Sequence, residues 1–440
     1  MNAVGRALAP LIAVNFLSSV GFSVVMPFLV FLVTGLGGNA FVMGVIGATF
    51  SVSQLIGAPW LGGMSDRVGR KRVLLYSQLG GMLAWAVFLI ALVAPRSALF
   101  AIDTRITGSF VLTLPVLLIA ISRATDGLIN GSISVANAYL ADVTTEAERK
   151  ASFARLGAAS SLGFVIGPFA AGYIARDDRG VMLLVSAALL LSGIGALVVW
   201  RYLPAISTGA ITSADAARAA ASHKVLGGGS KECVGRRHPR SPLRALLDLP
   251  HAKRMISLYF LVFLGFSIFV TVLPMHAVVE LRWSSDRLGS LFGVLSVALI
   301  ITQTAILPRL ARRSSDAALG GWGSVLVSGA YVVVSLGGSP GAFVAAALYG
   351  VGNGLMWPSY LAMLSATGSP STRGRLQGVA SSAGSIASIA GMLGGGTAFG
   401  MIGSATFLVA AASLALAAIL FAFGAAEPRV EPEGGVPAGA

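Results

Sequence analysis

Long apolar stretches recur along the chain, separated by short polar segments. Each is close to the roughly 20 residues that an α-helix needs to cross a bilayer. They predict spans over 8–33, 41–63, 73–94, 110–138, 152–175 and 181–203, and then over 255–279, 288–310, 317–337, 342–366, 376–398 and 402–423. The ninth carries the weakest signal, because glycines and serines dilute it. The expected fold is an all-α membrane protein, with twelve transmembrane helices in two pseudo-symmetric six-helix bundles. Residues 204–253 break the pattern: they are polar, basic and punctuated by Gly227-Gly228-Gly229, Pro239 and Pro242. They read as a cytoplasmic linker, with a short helix expected around Ser213 to His223. The divisions are therefore an N-terminal bundle (1–203), the linker (204–253), a C-terminal bundle (254–426) and a disordered tail (427–440).

Composition agrees with burial in lipid. Charged residues make up 11% of the chain, against about 25% in soluble domains, while apolar types make up 55% and mean hydropathy is +0.83. The net charge of +14 would suit nucleic acid, but the basic residues sit between apolar runs, where they set orientation instead. Arg67, Arg70, Lys71 and Arg72, then Arg149, Lys150 and Arg155, then Arg309, Arg312 and Arg313 all fall on one side. That side is expected to be the cytoplasm, with both termini there. Only Arg6 precedes the first apolar stretch, with no short h-region or cleavage site, so it reads as a spanning helix. Cys233 is the single cysteine, and the four histidines stand apart in sequence, so neither a disulfide nor a zinc site is expected.

The halves share features at near-constant offset. Gly21-Phe22-Ser23 recurs as Gly265-Phe266-Ser267, Gln54 and Pro59 as Gln303 and Pro308, and Arg149, Gly167 and Gly172 as Arg373, Gly391 and Gly396. Six plus six helices related by duplication are the layout of transporters that bind substrate between the halves near the bilayer midplane.

Between the second and third spans stands Gly62-Gly63-Met64-Ser65-Asp66-Arg67-Val68-Gly69-Arg70-Lys71-Arg72. This string resembles the loop signature of the major facilitator superfamily. The resemblance implies a conformational latch that stabilises the outward-facing state, formed by Gly62, Asp66, Arg67, Gly69 and Arg70 together with Asp142. Arg123 in span 4 and the Ala141-Asp142 pair resemble the drug:proton antiporter branch. So does Gly163-Phe164-Val165-Ile166-Gly167-Pro168-Phe169-Ala170-Ala171-Gly172, which resembles that branch's exporter motif, with Ala171 replacing one glycine. Its key positions are Gly163, Gly167, Pro168 and Gly172. Met26-Pro27 and Arg373-Gly374-Arg375-Leu376-Gln377-Gly378 look closest to tetracycline-efflux proteins. One departure stands out: those proteins show an aspartate where this chain has Ser18, which bears on both the substrate and the proton pathway.

Ionisable groups inside a membrane are costly and therefore point to function. Arg123, Asp126, Asn130, Ser134 and Asn137 fall on one arc of span 4 at about 100° per residue. This polar stripe is expected to face the cavity or another helix. Asp126 is the expected proton carrier, tuned by Arg123; the plainer reading is a permanent ion pair that offsets burial. Asn15, Ser18, Gln54, Asn130, Gln303, Asn353, Trp357 and Tyr360 are candidate cavity residues. His276, near the outer end of span 7, is a weaker candidate for proton handling.

The leading function is export of a small lipophilic compound by proton antiport, from a monomer in a bacterial inner membrane. The alternatives are a proton-coupled importer of a small polar nutrient, or a lipid flippase on the same fold. A membrane enzyme acting on lipid would need a nucleophile–base or metal constellation, which is not expected here; the chain has no His-Glu-x-x-His string. It also has no Walker-type phosphate loop, so the energy source is expected to be a gradient, with no cofactor or metal.

Overall fold

A computed structural model describes residues 3–130, 132–144, 146–204, 249, 251–367 and 370–425. The expected helix around Ser213 to His223, almost all of the 204–253 linker and the 427–440 tail lie outside the described residues.

Twelve helical spans follow one another along the described chain. Span 1 is Ala3–Val24 continued by Met26–Gly35, span 2 is Ala40–Val68, and span 3 is Arg70–Val93. Span 4 comprises Leu114–Asn130 and Ser132–Val143, span 5 is Glu146–Ile174, and span 6 is Asp178–Tyr202. In the second half, span 7 is Ala252–Val279, span 8 runs from Ser285–Ile301 through a π-turn (Thr302–Ile306) to Leu307–Leu310, and span 9 is Asp316–Leu336. Spans 10, 11 and 12 are Gly338–Ala366, Pro370–Ile402 and Thr406–Ala425. Short side chains stop and start these helices. Asn39 caps span 2 by accepting from the Val42 N–H at 3.2 Å, and Asp177 caps span 6 by accepting from the Gly180 N–H at 2.7 Å. Gly69, at φ 95°, makes the tight turn from span 2 to span 3, a conformation a side chain would oppose.

Two sequence expectations need correcting. Span 4 begins at Leu114 rather than at 110, because residues Gly108–Thr113 form a strand, β2, antiparallel to β1 (Ala98–Thr104). The apolar run Phe110-Val111-Leu112 alternates aromatic, branched and aliphatic side chains ahead of a proline at position 115, which suits a strand as well as a helix. The weakest hydrophobic signal belongs to span 10, not span 9. Span 9 is apolar enough to cross a membrane, while Asn353, Pro358 and several glycines dilute span 10.

The two halves mirror each other in their packing. A Cβ added at Gly167 in span 5 would press on Ser23 and Val24 of span 1; one at Gly391 in span 11 would stand 2.9 Å from Ser267 Cβ of span 7. These are the residues that recur between the halves in sequence, so the duplication is one of helix contacts. Small residues let backbones approach closely where lipid supplies no hydrophobic drive for association.

Candidate functional site

The halves touch at one end of the bundle. At the end that carries the turn between spans 1 and 2 (the Gly37 end), span 2 crosses span 11 and span 5 crosses span 8. Gly44 lies against the backbone of Met392 and Gly396, and Gly172 lies against the backbone of Gly289. The Ser51 hydroxyl reaches Met392 Sδ at 3.6 Å, and Tyr173 Oη and Ser290 Oγ are 3.1 Å apart. One apolar core runs through this end and joins both halves, from Val33, Ala40 and Met43 to Leu273, Leu288 and Phe399. At the opposite, Arg70 end, a separate core of Leu8, Leu11, Leu61, Val73, Tyr139 and Leu203 belongs to spans 1 to 6 alone. Here Gly62, Gly63, Gly157 and Gly378 have nothing within 4 Å of a Cβ added to them. The bundle is thus closed at its Gly37 end.

The Arg70 guanidinium gathers the loop string that the sequence singled out. Its Nε donates to Asp142 Oδ2 at 2.9 Å, and its Nη1 donates to Ser65 Oγ and Asp66 Oδ1, both at 2.8 Å. Asp66, Arg70 and Asp142 are therefore together, on spans 2, 3 and 4 respectively, while Arg67 stands exposed beside them. Asp66 is 66% exposed and its second oxygen remains free for another partner among the described residues.

Asp126 and Arg123 are buried in span 4, where Arg123 Nη1 stands 3.1 Å from Asp126 Oδ2. The guanidinium lies over the rings of Trp85 (4.7 Å) and Phe88 (5.6 Å) on span 3. None of its three nitrogens, nor Asp126 Oδ2, has a hydrogen-bond partner among the described residues. The pair is held by charge and by cation–π attraction, worth about 2 kcal/mol when desolvated, rather than by a directed bidentate bond. One helical turn on, Asn130 Oδ1 accepts from Gln54 Nε2 at 3.3 Å, which ties span 4 to span 2.

The remaining candidates divide. Ser18 is exposed and its hydroxyl accepts from Gln78 Nε2 at 3.1 Å. Asn15 is engaged in packing, donating to Leu156 O at 3.0 Å and to Ser160 Oγ. Tyr360 is fully buried and donates to Met255 O at 3.0 Å, so it braces span 10 against span 7. Gln303 sits half-buried in the π-turn of span 8, an irregularity common at functional sites. Asn353 is half-buried on span 10. Gly163, Gly167 and Gly172 serve close crossings with spans 1 and 8, with Pro168 buried among them.

Trp357 belongs to an aromatic cluster that sequence reading missed. Tyr259 and Phe263 of span 7 stack at 4.6 Å, and Trp357 meets them edge-on at 5.7 and 5.6 Å. Phe266 extends the row toward the middle of the span and is 41% exposed. The signal was present, since Tyr259, Phe263 and Phe266 follow i, i+4, i+7 spacing on one helix face.

The chain as a whole resembles known proteins. The sequence profile of the Major Facilitator Superfamily matches residues 11–340 and, in a second match, 255–440. The class D tetracycline resistance protein of Salmonella ordonez is 26% identical over 385 residues, covering 87% of this chain and 86% of that protein. Human major facilitator superfamily domain-containing protein 10 is 25% identical over 367 residues, covering 82% of this chain and 74% of that protein. The crystal structure of that human protein, described as the organic anion transporter MFSD10, aligns at a TM-score of 0.64 with 21% identity, covering 96% of this chain and 100% of the other. A peptide transporter, POT, in complex with sulfate aligns at 0.66 with 16% identity, covering 95% and 94%.

Proposed function

This chain belongs to the Major Facilitator Superfamily, and on that premise we propose that it exports a small lipophilic compound in exchange for protons. As a member it is an integral membrane transporter. Residues 1–203 and 254–426 act as the two moving bodies, joined by 204–253, and the basic Arg70 end faces the cytoplasm of a bacterial cell. The structure then corresponds to the inward-facing state, sealed outside by the Gly44 and Gly172 crossings.

The observation that carries the reading is the buried Arg123–Asp126 pair, in which the three guanidinium nitrogens and Asp126 Oδ2 find no hydrogen-bond partner among the described residues. A permanent structural ion pair is expected to saturate its donors and acceptors, because burial is otherwise too costly. A pair left unsaturated can exchange its counter-charge for a proton or a substrate. Asp126 takes a proton from outside and releases it inside, while Arg123 keeps the empty carboxylate from being an isolated buried charge. The latch residues Asp66, Arg70 and Asp142 form their network within the N-terminal half and offer Asp66 to the start of span 11 when the inner end closes. Substrate lies between the Ser18–Gln54–Asn130 side and the aromatic row of Tyr259, Phe263 and Trp357. Large apolar rings with few neutral polar groups suit a lipophilic molecule. The tetracycline resistance relatives support the direction of transport.

Everted vesicles carrying an imposed proton gradient test this. Lipophilic cations, neutral drugs and organic anions are added in turn to wild type and Asp126→Asn. Substrate-dependent proton release by wild type alone is the expected result; equal release from both proteins removes Asp126 from the path. A second reading, export of an organic anion, follows from Arg123 Nε, Nη1 and Nη2 lacking hydrogen-bond partners among the described residues, and the anion arm decides it.

A further inference from the structure

At the Gly37 end of span 7, His276 is 4% exposed and far from the Arg123–Asp126 pair in the chain. Its Nδ1 lies 2.9 Å from Glu280 Oε2, one turn along the helix. The other oxygen, Glu280 Oε1, accepts the backbone N–H of Ser404 at 3.1 Å. Ser404 sits in the 3-10 turn Gly403–Ala405 that joins span 11 to span 12, and Gly403 adopts φ 56° directly beside the carboxylate. Glu280 thus bridges an imidazole on one helix and the backbone turn between two others. The Phe407 ring stands edge-on to the imidazole at 5.5 Å. His276 Nε2 is buried and has no hydrogen-bond partner among the described residues.

We propose that His276 is a second proton-binding site, and that its protonation tightens the Glu280 clasp and favours closure of the Gly37 end. In the neutral imidazole one nitrogen donates and the other accepts, so Nδ1–H on Glu280 leaves an unmatched lone pair at Nε2. Adding a proton there turns the hydrogen bond to the Glu280 carboxylate into a full ion pair, which adds Coulomb attraction to the bond already made. Imidazole is the side chain whose charge changes in the range pH 5 to 8. Glu280 then holds the turn that ends span 11, and span 11 supplies Met392 and Gly396 to the seal against span 2. The titratable and charged groups around His276 are few among the described residues. Glu280 shares its helix, and exposed Arg282 follows two residues later. Spans 9 and 10 contribute the phenols of Tyr331 and Tyr349, which join the same aromatic cluster through Phe269 and Phe407. The turn and span 12 contribute Ser404 and Thr406, which do not titrate in this range.

The proposal rests on the antiport reading for the sense of proton entry: a proton taken from outside would close the outer end behind it. Its test does not need a substrate. In full-length protein in nanodiscs, with Cys233→Ser and Ser51→Cys, the reporter thiol lies between spans 2 and 11 and is labelled when they part. Maleimide labelling is normalised at each pH to the same thiol in denatured protein. Between pH 8 and pH 5.5 the labelling rate is expected to fall about fivefold, the population shift of a roughly 1 kcal/mol coupling. Adding His276→Gln or Glu280→Gln should flatten that dependence, while Asp126→Asn should keep it. Retention of the dependence in His276→Gln, or its loss in Asp126→Asn alone, overturns the proposal. If the histidine variant fails to fold, the ring signals of isotope-labelled histidines in the parent decide. One of the four must titrate between pH 5 and 8 with a midpoint displaced by Glu280→Gln, and absence of such a signal refutes the site. Should vesicles show no substrate-linked proton release while labelling stays pH-dependent, the antiport reading fails and the clasp stands.

Discussion

Gly172 offers a direct test of alternating access, because its contact exists only while the Gly37 end is closed. In Gly172→Ala the added methyl would meet Gly289 N at 2.8 Å and Ser285 O at 3.1 Å, besides the Gly289 Cα. Reciprocally, a Cβ on Gly289 would stand 3.1 Å from Gly172 C. Every one of these atoms is backbone, so no side chain can rotate aside and the helices themselves must part. Overpacking of this kind costs about 1–3 kcal/mol. Under the proposed alternating access the cost falls on the closed state alone, since the two helices would separate in the other. The ratio of closed to open protein should therefore drop by about 5- to 150-fold. The Ser51→Cys reporter in a Cys233→Ser background reads that ratio as its labelling rate. Gly172→Ala should raise the rate, and Gly44→Ala, which faces the Met392 carbonyl, should raise it in the same way. Gly62→Ala is the control, because a Cβ there meets nothing within 4 Å in this state. Under the latch reading it should lower the rate, by disfavouring closure of the Arg70 end. A rate unchanged by Gly172→Ala, or raised equally by Gly62→Ala, would sink the argument.

Three further outcomes are expected. Arg123→Met should lower stability by about 3–5 kcal/mol by stranding a buried carboxylate, whereas Arg123→Met with Asp126→Leu should recover most of that loss; thermal unfolding in detergent measures both. Asn39→Ala removes the cap of span 2 and the two bonds from Asn39 Nδ2 to Thr107 O (2.7 Å) and Ser109 O (3.2 Å). It should cost about 1–2 kcal/mol locally and speed tryptic cleavage at Arg105 in the hairpin. Trp357→Ala should weaken binding of a fluorescent aromatic substrate by about 0.5–1.5 kcal/mol, seen as a higher Kd without loss of folded protein.

The features that survived from sequence to structure are those set by local chemistry. Span lengths follow from bilayer thickness. The Gly62 to Arg72 string carries its turn at Gly69 and the Asp66–Arg70 contact within eleven residues, whereas the third partner, Asp142, comes from span 4. Span 4 was half legible. Its polar arc at 3.6 periodicity was there to read, but residues 110–113 were taken for helix, because an apolar run near a membrane boundary fits either state. Asn15 and Tyr360 read as cavity groups in the sequence, and in the structure their hydrogen bonds to Leu156 O and Met255 O also tie neighbouring helices together, a contact that sequence alone does not display.

By itself the sequence determined membrane residence, the number of spans and the duplication, because each depends on hydropathy and spacing along one chain. It also singled out Arg123, Asp126 and the repeated glycines by type and position. Tertiary structure alone decided which end is closed, since that depends on Gly44 meeting Met392 some 350 residues away and Gly172 meeting Gly289. It alone brought Tyr259 and Phe263 to Trp357, left Arg123 without a directed partner, and set Glu280 between His276 and the Ser404 turn. Such contacts are short in space and long in sequence, and no local periodicity encodes them.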